Sequence, residues 1–377
     1  VYDESFPLDV FQTGSGTSTN MNANEVIANV ASKKSKLIIN ANDDVNMSQS
    51  SNDVIPTAIC ISALIDMHRI LLPNMDGLIK AIDAKMKKVK GNTKTGRTHL
   101  MDAMPIDFAQ ELSGWKAQLE SSKKTLIAAT SRMNELPQGG TAIGTGINTH
   151  KDFSKNFCEE VNKISKLKTK PAKNFFQGLS SVDNAAELSS ALKNLSTILM
   201  KISNDLRWMN SGPLTGLGEI ELEALQPGSS IMPGKVNPVV PEAVAMACAD
   251  VIGNDVSITI ASQSGNFQLN VMLPLVAYNL LKSINLLGNA MPLLSNKAIK
   301  TFKVNKKNIN ESLSKNPILV TALNRKIGYG KAALIAKKAY KENKAIIDVA
   351  SEETGISKAE LKKLLDPSKL TKGGLSG

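Results

Sequence analysis

The stretch from Pro241 to Ile260 reads P-E-A-V-A-M-A-C-A-D-V-I-G-N-D-V-S-I-T-I, and a second apolar stretch, Asn270 to Leu287, follows after a short break. Both are long enough for helices and carry few charges on any face. A helix that is apolar all round has to be buried, either at the centre of a bundle or against other subunits. We therefore expect an all-α protein with a long central helical bundle that also forms the core of an oligomer.

Other segments show the apolar spacing of amphipathic helices. The clearest runs from Val182 to Met209, with one stripe formed by Leu192, Leu195, Leu199, Ile202 and Leu206. A second helix is predicted from Phe108, Leu112, Trp115 and Leu119. A third pattern, from Val54 to Leu71, ends at a predicted turn at Pro73 and Asn74. Aromatic residues make up only 4% of the chain, so the core of the bundle has to be aliphatic.

The chain has 377 residues and a formal net charge of +11, with much of the lysine excess after Asn296. Such a charge attracts nucleic acid, an anionic membrane or a small polyanion, or forms a solvated face. The lysines have no interleaved aromatic residues and no nucleic-acid motif accompanies them, so we expect no nucleic-acid partner. The longest aliphatic zone, Val239 to Ile260, is interrupted by Glu242, Asp250 and Asp255, so we expect no membrane partner.

The cysteines and histidines are few and scattered. Cys60, Cys158 and Cys248 fit neither a disulfide framework nor a metal-binding spacing, which favours a reducing, cytoplasmic compartment. The three histidines, His68, His99 and His150, are too dispersed to indicate a metal site. We therefore expect no metal.

The composition changes near Asn305, where short Lys-rich helical patterns begin, with Gly328, Gly330, Gly355 and Pro367 between them. This change indicates a small separate domain. We predict three domains: an N-terminal domain over residues 1–50, a central helical-bundle domain over residues 51–304, and a C-terminal domain over residues 305–377.

A loop precedes the first apolar stretch, and from Pro227 to Pro238 it reads P-G-S-S-I-M-P-G-K-V-N-P. Its glycines and serines allow the backbone to approach a ligand closely, and its prolines argue against a helix. Ser229, Lys235 and Asn237 offer a hydroxyl, a cation and an amide, which are the groups that chemistry on an anionic substrate needs. A surface connection rich in Gly and Pro has the same composition, so both interpretations stay open on local grounds.

Three other polar clusters have the same ambiguity. Thr13 to Glu25 and Asn40 to Asp53 each precede a helical pattern, so they are either anion-binding loops or helix caps. Gly96 to His99 reads G-R-T-H in a predicted loop before a helix, where His99 is either catalytic or structural.

Together these clusters resemble the class II fumarases of the fumarase/aspartase superfamily over almost the whole chain. The motifs that carry the resemblance are T-G-S-G-T-S-T-N-M-N-A-N-E-V (13–26), S-S-N-D (50–53), G-R-T-H (96–99), G-T-G-I-N-T-H (144–150), G-S-S-I-M-P-G-K-V-N-P (228–238) and V-T-A-L-N-R-K-I-G-Y (320–329). The resemblance implies an all-α homotetramer with each active site built from three chains. It also implies reversible hydration of fumarate to L-malate, with no metal or organic cofactor.

The resemblance assigns roles to individual residues. Ser229 would be the base that removes the C3 proton of malate, and Lys235 and Asn237 would stabilise the resulting aci-carboxylate. His99, held by Glu242, would activate or protonate the departing water. The residues expected to bind the substrate carboxylates are Ser15, Thr17, Ser50, Ser51, Asn52 and Thr98.

Two features depart from the family pattern. The family's accessory dicarboxylate site uses a His followed by Pro-Asn-Asp, whereas this chain has Asn40-Ala41-Asn42-Asp43, without the His. The accessory site is therefore expected at Asn40, Asn42 and Asp43 only in altered form. Family members also have a longer N-terminal segment, so we expect the chain to lack the start of the first domain.

Two alternative functions follow from the same resemblance. The first is another lyase of the superfamily, chiefly aspartate ammonia-lyase, which typically has Gln at the position of His99. The second is a catalytically silent structural relative, against which the presence of Ser229, Lys235, Asn237 and His99 argues.

Overall fold

The computed structural model describes residues 2–374, and α-helices make up most of that part of the chain. Its α-helices are α1 (Thr17–Ser35), α2 (Ser51–Asp66), α3 (Leu72–Val89), α4 (Phe108–Arg132), α5 (Phe153–Ser165), α6 (Phe175–Ser180), α7 (Asp183–Met209), α8 (Val239–Gln263), α9 (Leu273–Leu294), α10 (Lys306–Lys315), α11 (Asn324–Ile327), α12 (Tyr329–Glu342), α13 (Ile346–Thr354), α14 (Lys358–Leu364) and α15 (Pro367–Leu370). Short 3₁₀ or π-helical turns lie at Asp3–Ser5, Ala41–Val45, Met67–Leu71, Ser295–Ile299 and Pro317–Leu323.

Six strands form three small two-stranded ladders in the described residues. The strands are β1 (Thr93–Thr98), β2 (Met101–Asp107), β3 (Glu135–Leu136), β4 (Lys170–Pro171), β5 (Ile220–Glu221) and β6 (Lys303–Val304). β1 pairs antiparallel with β2, β3 parallel with β4, and β5 antiparallel with β6. With only these short ladders beside the helices, the predicted all-α class is confirmed.

The chain divides into two units, each built from three separate segments. One consists of Val1–Gly77, Leu119–Met200 and Ala243–Pro292, and the other of Leu78–Gln118, Lys201–Glu242 and Leu293–Gly377. We call them the first and the second unit. The predicted division into domains 1–50, 51–304 and 305–377 follows sequence order instead, and it stays a prediction.

The long helices agree with the predicted periodicity. The five residues of the predicted stripe on α7 are all fully buried, as is the α4 stripe apart from 1% exposure at Trp115. The two apolar stretches form α8 and α9, which extend a few residues beyond the predicted bounds at most ends. Apolar spacing therefore predicts both the helices and the faces that they bury.

One predicted break in the helices is absent. We expected a turn at Pro73 and Asn74, but α2 continues through the π-helical turn Met67–Leu71 into α3. Pro73 follows directly on this π-helical turn, where the regular α-helical hydrogen-bonding pattern is already interrupted, so the helix continues past a residue without an N–H. The prediction of a turn at this proline was wrong.

Helix α8 is apolar around its circumference, and within one chain only part of it is covered. Val244, Cys248 and Ile258 are buried, whereas Met246 and Val256 are 68% and 55% exposed. Two helical stretches, Ser51–Val89 and Val239–Gln263, are long and apolar enough to cross a membrane by length and composition, a test that core helices of soluble proteins also pass.

Two of the acidic side chains on α8, Asp250 and Asp255, are paired with neighbouring helices of the first unit. Asp255 is 3% exposed, and its carboxylate accepts hydrogen bonds from Ser189 Oγ (2.8 Å) and Lys193 Nζ (2.5 Å) of α7. Asp250 forms an ion pair with Lys282 of α9. Charges that find partners on adjacent helices are typical of a helix packed in a bundle.

The C-terminal helices of the second unit have a hydrophobic cluster of their own. Its buried members run from Leu313 to Leu365 and include Leu323, Ile335 and Val349, each with no exposed surface. Short amphipathic helices that are rich in lysine on their outer faces need such a shared core because none of them is stable alone.

Candidate active site

The loop between β5 and α8 is closed on itself at its base. Gly228 N–H donates to Lys235 O over 2.8 Å, and Asn237 Nδ2 donates back to Gly228 O over 2.9 Å. A Cβ at position 228 would lie 2.7 Å from Asn237 N and 2.8 Å from Lys235 O, so only glycine allows this approach. The glycine therefore brings Ser229, Lys235 and Asn237 into one small loop.

Ser229 is half-buried in this loop, and its hydroxyl oxygen accepts two backbone hydrogen bonds. The donors are the N–H groups of Ile231 (3.2 Å) and Met232 (3.0 Å). N–H donors that point at an oxygen favour its charged form over its neutral form. The local geometry thus suits a serine that has to become an alkoxide.

A cavity of about 730 Å³ in the second unit adjoins the loop. Lys235, Asn237 and Glu242 line it together with residues of two other segments, Asn204–Pro213 and Gly218–Ala224. The Lys235 side chain is exposed and has no ion pair within the described residues. A cation, an amide and a carboxylate from the predicted set therefore face one concave surface.

His99 lies at the tip of the β1–β2 hairpin, and not in the loop that the sequence analysis predicted. Thr98 pairs with Met101, so His99 and Leu100 form a two-residue turn with φ values of 56° and 60°. Positive φ at both central residues is the signature of a type I′ hairpin turn, which usually needs Asn and Gly. Because this turn contains neither, and Gly96 and Pro105 interrupt the strands, the hairpin is not evident from sequence.

The hairpin tip is exposed in the single chain. Thr98 and His99 are both exposed, and Leu100 and Met101 are 64% and 69% exposed. Within the described residues, no hydrogen bond or ion pair joins His99 to Glu242 of the same chain. The predicted His99–Glu242 pairing thus has no counterpart inside one subunit.

The predicted carboxylate-binding residues Ser15 and Thr17 lie at the beginning of α1 in the first unit. Their hydroxyls are 2.8 Å apart, and Gly16 between them precedes the helix with a φ of 73°. Gly14 packs directly against Val271, whose carbonyl oxygen leaves no room for a Cβ. The two glycines place both hydroxyls at the positive end of the α1 dipole.

Ser50, Ser51 and Asn52 begin α2 in the same unit, and each already has a partner. Ser50 caps the helix by accepting from Asn52 N–H over 3.2 Å. Ser51 is buried and accepts from Asn20 Nδ2 of α1 over 3.2 Å, while Asn52 Nδ2 donates to Ala142 O over 2.7 Å. The cluster therefore caps α2, independently of any ligand that it binds. The hydrogen bond from Asn20 links the beginnings of α1 and α2.

Asp53 is the residue of this region that the sequence analysis overlooked. It is fully buried, and its two carboxylate oxygens accept N–H bonds from Ser50 (3.0 Å), Gly139 (2.9 Å) and Thr141 (2.9 Å). Burial raises its pKa above the usual value, and the backbone N–H bonds counteract part of that rise. Asp53 connects the beginning of α2 to the 139–142 loop. The sequence signal for this residue is the aspartate that ends the S-S-N-D motif.

The segment predicted for the accessory dicarboxylate site is a capped π-helical turn, Ala41–Val45. The side-chain oxygen of Asn40 accepts from the N–H groups of Asn42 (2.8 Å) and Asp43 (3.0 Å). Asp44 accepts in turn from Asn40 N–H over 2.7 Å. Asn40, Asn42 and Asp43 are exposed and bring no cation to this turn, and their binding role stays a prediction.

Within residues 2–374 no group of three or more His, Cys, Asp and Glu side chains is placed to hold a metal ion. His68 and His150 are exposed. All three cysteines carry free, buried thiols, and burial raises the pKa of Cys60 and of Cys248 to about 12.

Comparison with known proteins matches the whole arrangement to one family. Residues 1–253 match a lyase family model and residues 319–372 match the model of the fumarase C C-terminus. Fumarate hydratase class II 2 of Pseudomonas aeruginosa is 57% identical over 99% of this chain and 81% of its own length. The class II fumarate hydratase of Xylella fastidiosa is 55% identical over 99% of this chain and 79% of its own length.

A solved structure agrees with these relatives. The crystal structure of class II fumarase from Schistosoma mansoni superposes with a TM-score of 0.94 at 36% identity, covering 98% of this chain and 81% of that one. Similarity at this level extends through α1, the β1–β2 hairpin, the loop at Ser229 and the C-terminal helices. The chain therefore belongs to the class II fumarate hydratase family.

Proposed function

We propose that this protein catalyses the reversible hydration of fumarate to L-malate, with Ser229 as the base. The observation that carries the proposal is the hydroxyl of Ser229, which accepts two backbone N–H bonds in a loop that also contains Lys235 and Asn237. The names of the related fumarate hydratases support the same substrate.

In the direction from malate, the Ser229 alkoxide takes the proton from C3. The electron pair of the C–H bond moves toward the adjacent carboxylate and gives an aci-carboxylate that carries one more negative charge. Such a proton is very weakly acidic, so most of the barrier has to be removed by fixed positive charge and hydrogen-bond donors at this carboxylate. Lys235 supplies the charge, and Asn237 has a second N–H besides the one that it donates to Gly228.

In the next step the C2–O bond breaks and the C2–C3 double bond forms. The departing hydroxide takes a proton from His99 and leaves as water. Glu242 accepts the other ring N–H of His99, which orients the imidazole and stabilises its protonated form. In the direction from fumarate the same groups act in reverse, with His99 as the base for water.

We assign the remaining predicted residues to the substrate carboxylates. These are the hydroxyls of Ser15, Thr17, Ser50, Ser51 and Thr98 and the amide of Asn52, all of them uncharged donors. Such donors bind a carboxylate without forming a strong salt bridge, which would also slow the release of the product. The dipoles at the beginnings of α1 and α2 favour negative charge at the same positions.

The active site is further proposed to combine residues of three chains of a homotetramer. Two exposed surfaces support this assembly. One is the hairpin tip with Leu100 and Met101, and the other is the face of α8 with Met246 and Val256. Apolar surfaces of this kind are usually covered by a partner. His99 would then meet Glu242 of another subunit, which accounts for their lack of contact within one chain.

The test is an absorbance assay of the purified protein with malate and, separately, with aspartate, together with native mass spectrometry. We expect turnover of malate only, and a tetramer. Ser229→Ala should lose at least about a hundredfold in kcat and keep the tetramer, because the hydroxyl makes no contact that stabilises the fold beyond its own loop. Turnover of aspartate in place of malate would refute the proposed reaction, and a Ser229→Ala variant of near-normal activity would refute the assignment of the base.

A further inference from the structure

A buried cluster of four charged side chains lies beneath the β1–β2 hairpin in the second unit. Lys94 and Arg97 come from β1, Glu111 from α4, and Glu219 from the residue before β5. The side chains of Lys94 and Glu219 are 4% and 2% exposed, so these charges are almost completely removed from water. The reaction proposed above uses none of the four.

Glu219 is the centre of the cluster. Its Oε1 accepts from Arg97 Nη1 at 2.5 Å, and its Oε2 lies 2.6 Å from Lys94 Nζ. The Lys94 contact is an ion pair without good hydrogen-bond geometry, and no other donor within the described residues reaches Oε2. Lys94 also pairs with Glu111 over 2.8 Å. Glu219 thus contacts both cations of β1, and together with Glu111 it balances their charge.

The backbone of Glu219 is held from two sides. Its N–H donates to Met209 O at the end of α7 over 2.7 Å, and its carbonyl accepts from Asn305 N–H over 2.8 Å. Its neighbours Gly218 and Ile220 line the cavity that also contains Lys235 and Asn237. Glu219 therefore connects a fixed part of the cavity wall to the hairpin.

Arg97 is the last anchored residue before the hairpin tip. Asn316 Nδ2 holds the opposite strand by donating to Ala103 O over 2.8 Å. From Thr98 to Asp102, no side chain makes a hydrogen bond or ion pair within the described residues. The Arg97–Glu219 pair is thus the side-chain anchor nearest to His99 in sequence, two residues away.

We propose that Glu219 is a positioning residue for the reaction, acting through Arg97 to hold the strained turn of His99 and Leu100. This inference rests on the proposed role of His99. Because the backbone of Glu219 is fixed to the cavity wall, its carboxylate fixes the position of Arg97 and of the strand end that follows. Within the described residues Arg97 has no second carboxylate partner to exchange with.

The test compares Glu219→Gln with Glu111→Gln. Glu219→Gln keeps an oxygen that can accept from Arg97 but removes the negative charge that Lys94 and Arg97 share, so the anchor of the tip is weakened. We expect kcat to fall on the order of 10–100-fold while KM changes less than about threefold, since misplacement of a catalytic group by 1 Å costs about a hundredfold. Glu111→Gln should stay within about twofold of wild type in kcat, because it leaves the Arg97–Glu219 ion pair in place.

A second pair of measurements does not depend on activity. Hydrogen–deuterium exchange of peptides covering residues 93–107 should be faster in Glu219→Gln than in wild type and unchanged in Glu111→Gln. Arg97→Lys, which keeps the charge but not the forked geometry, should fall between wild type and Glu219→Gln in both kcat and exchange. It also provides a folded variant should Glu219→Gln not fold.

The outcomes separate this inference from the proposed reaction. Wild-type protein that does not turn over malate refutes the reaction, and the exchange measurement then decides whether Glu219 holds the hairpin. Arg97→Lys or Glu219→Gln protein that is folded, with unchanged exchange at 93–107 and unchanged kcat, overturns the inference. In the double variant with Arg97→Lys and Glu219→Gln, the fold-loss in kcat should be smaller than the product of the two single losses, because residues that act through one ion pair are not independent. A loss equal to that product would also overturn the inference.

Discussion

Gly228→Ala should strongly reduce the turnover of the enzyme while leaving its fold intact. The added methyl group would lie 2.7 Å from Asn237 N, 2.8 Å from Lys235 O and 2.9 Å from Asn237 Cγ. All three atoms belong to the loop that carries the proposed base. The loop has to open at its base to admit the methyl group, which separates Ser229 from Lys235 and Asn237.

The size of the effect follows from the two hydrogen bonds that this opening breaks. They are Gly228 N–H to Lys235 O (2.8 Å) and Asn237 Nδ2 to Gly228 O (2.9 Å). Each contributes about 1 kcal/mol net, so the closed loop loses about 2 kcal/mol. At 1.36 kcal/mol per factor of ten, the closed state and therefore kcat should fall about 30-fold. The free energy of global unfolding should change little, because the loop is largely exposed and opens locally.

The assay is malate turnover alongside thermal unfolding of wild type, Gly228→Ala and Gly114→Ala. Gly114 is an exposed helical glycine of α4, and no atom lies within 4 Å of the place that a Cβ would take. Alanine there should therefore stabilise the helix and leave kcat unchanged. A Gly228→Ala variant with kcat within twofold of wild type would refute the view that loop closure at Gly228 assembles the site.

Two further predictions concern buried groups of the first unit and the cysteines. Asp53→Asn should lower the free energy of unfolding by about 1–3 kcal/mol, because the amide NH₂ would face the N–H groups of Gly139 and Thr141. Burial raises the pKa of Asp53 in the folded state. The contribution of Asp53 to the free energy of unfolding is therefore fully present below its unfolded-state pKa and is lost as the pH rises through its folded-state pKa. The wild-type advantage in urea denaturation should therefore grow on acidification from neutral pH, and a shrinking advantage would contradict this. The thiols of Cys60, Cys158 and Cys248 should not react with a thiol reagent at mildly alkaline pH until the protein unfolds. Burial raises the pKa of all three thiols, and it raises those of Cys60 and Cys248 to about 12. Rapid labelling of the native protein would contradict this prediction.

Periodicity predicted the long helices well because their packing repeats along the chain. On α7 each member of the stripe from Leu192 to Leu206 faces the same side, so the pattern and the burial have one cause. The short C-terminal helices were also predicted, since glycines and prolines separate them. Pro73 failed as a break because a π-helical turn directly precedes it and the helix continues through both.

The loop of the proposed site could be expected from the sequence, but its geometry could not. Ser229, Lys235 and Asn237 are close in sequence, so their common loop could be expected. The two N–H bonds to Ser229 and the closure at Gly228 depend on backbone torsions that composition does not specify. Asp53 and Glu219 were missed because their partners come from distant segments: Gly139 and Thr141 in one case, Lys94 and Arg97 in the other.

The turn at His99 and Leu100 connects local strain to function. Both residues have positive φ, which costs an L-residue about 1–2 kcal/mol each, and an Asn-Gly pair would remove most of that cost. Strain of this kind persists only where surrounding contacts determine the backbone. Here the contact nearest to the turn is the buried pair of Arg97 and Glu219. A hairpin turn can form without a histidine at its tip and without an ion pair beneath it. The presence of both here favours the interpretation that the conformation of the turn is maintained in order to position His99.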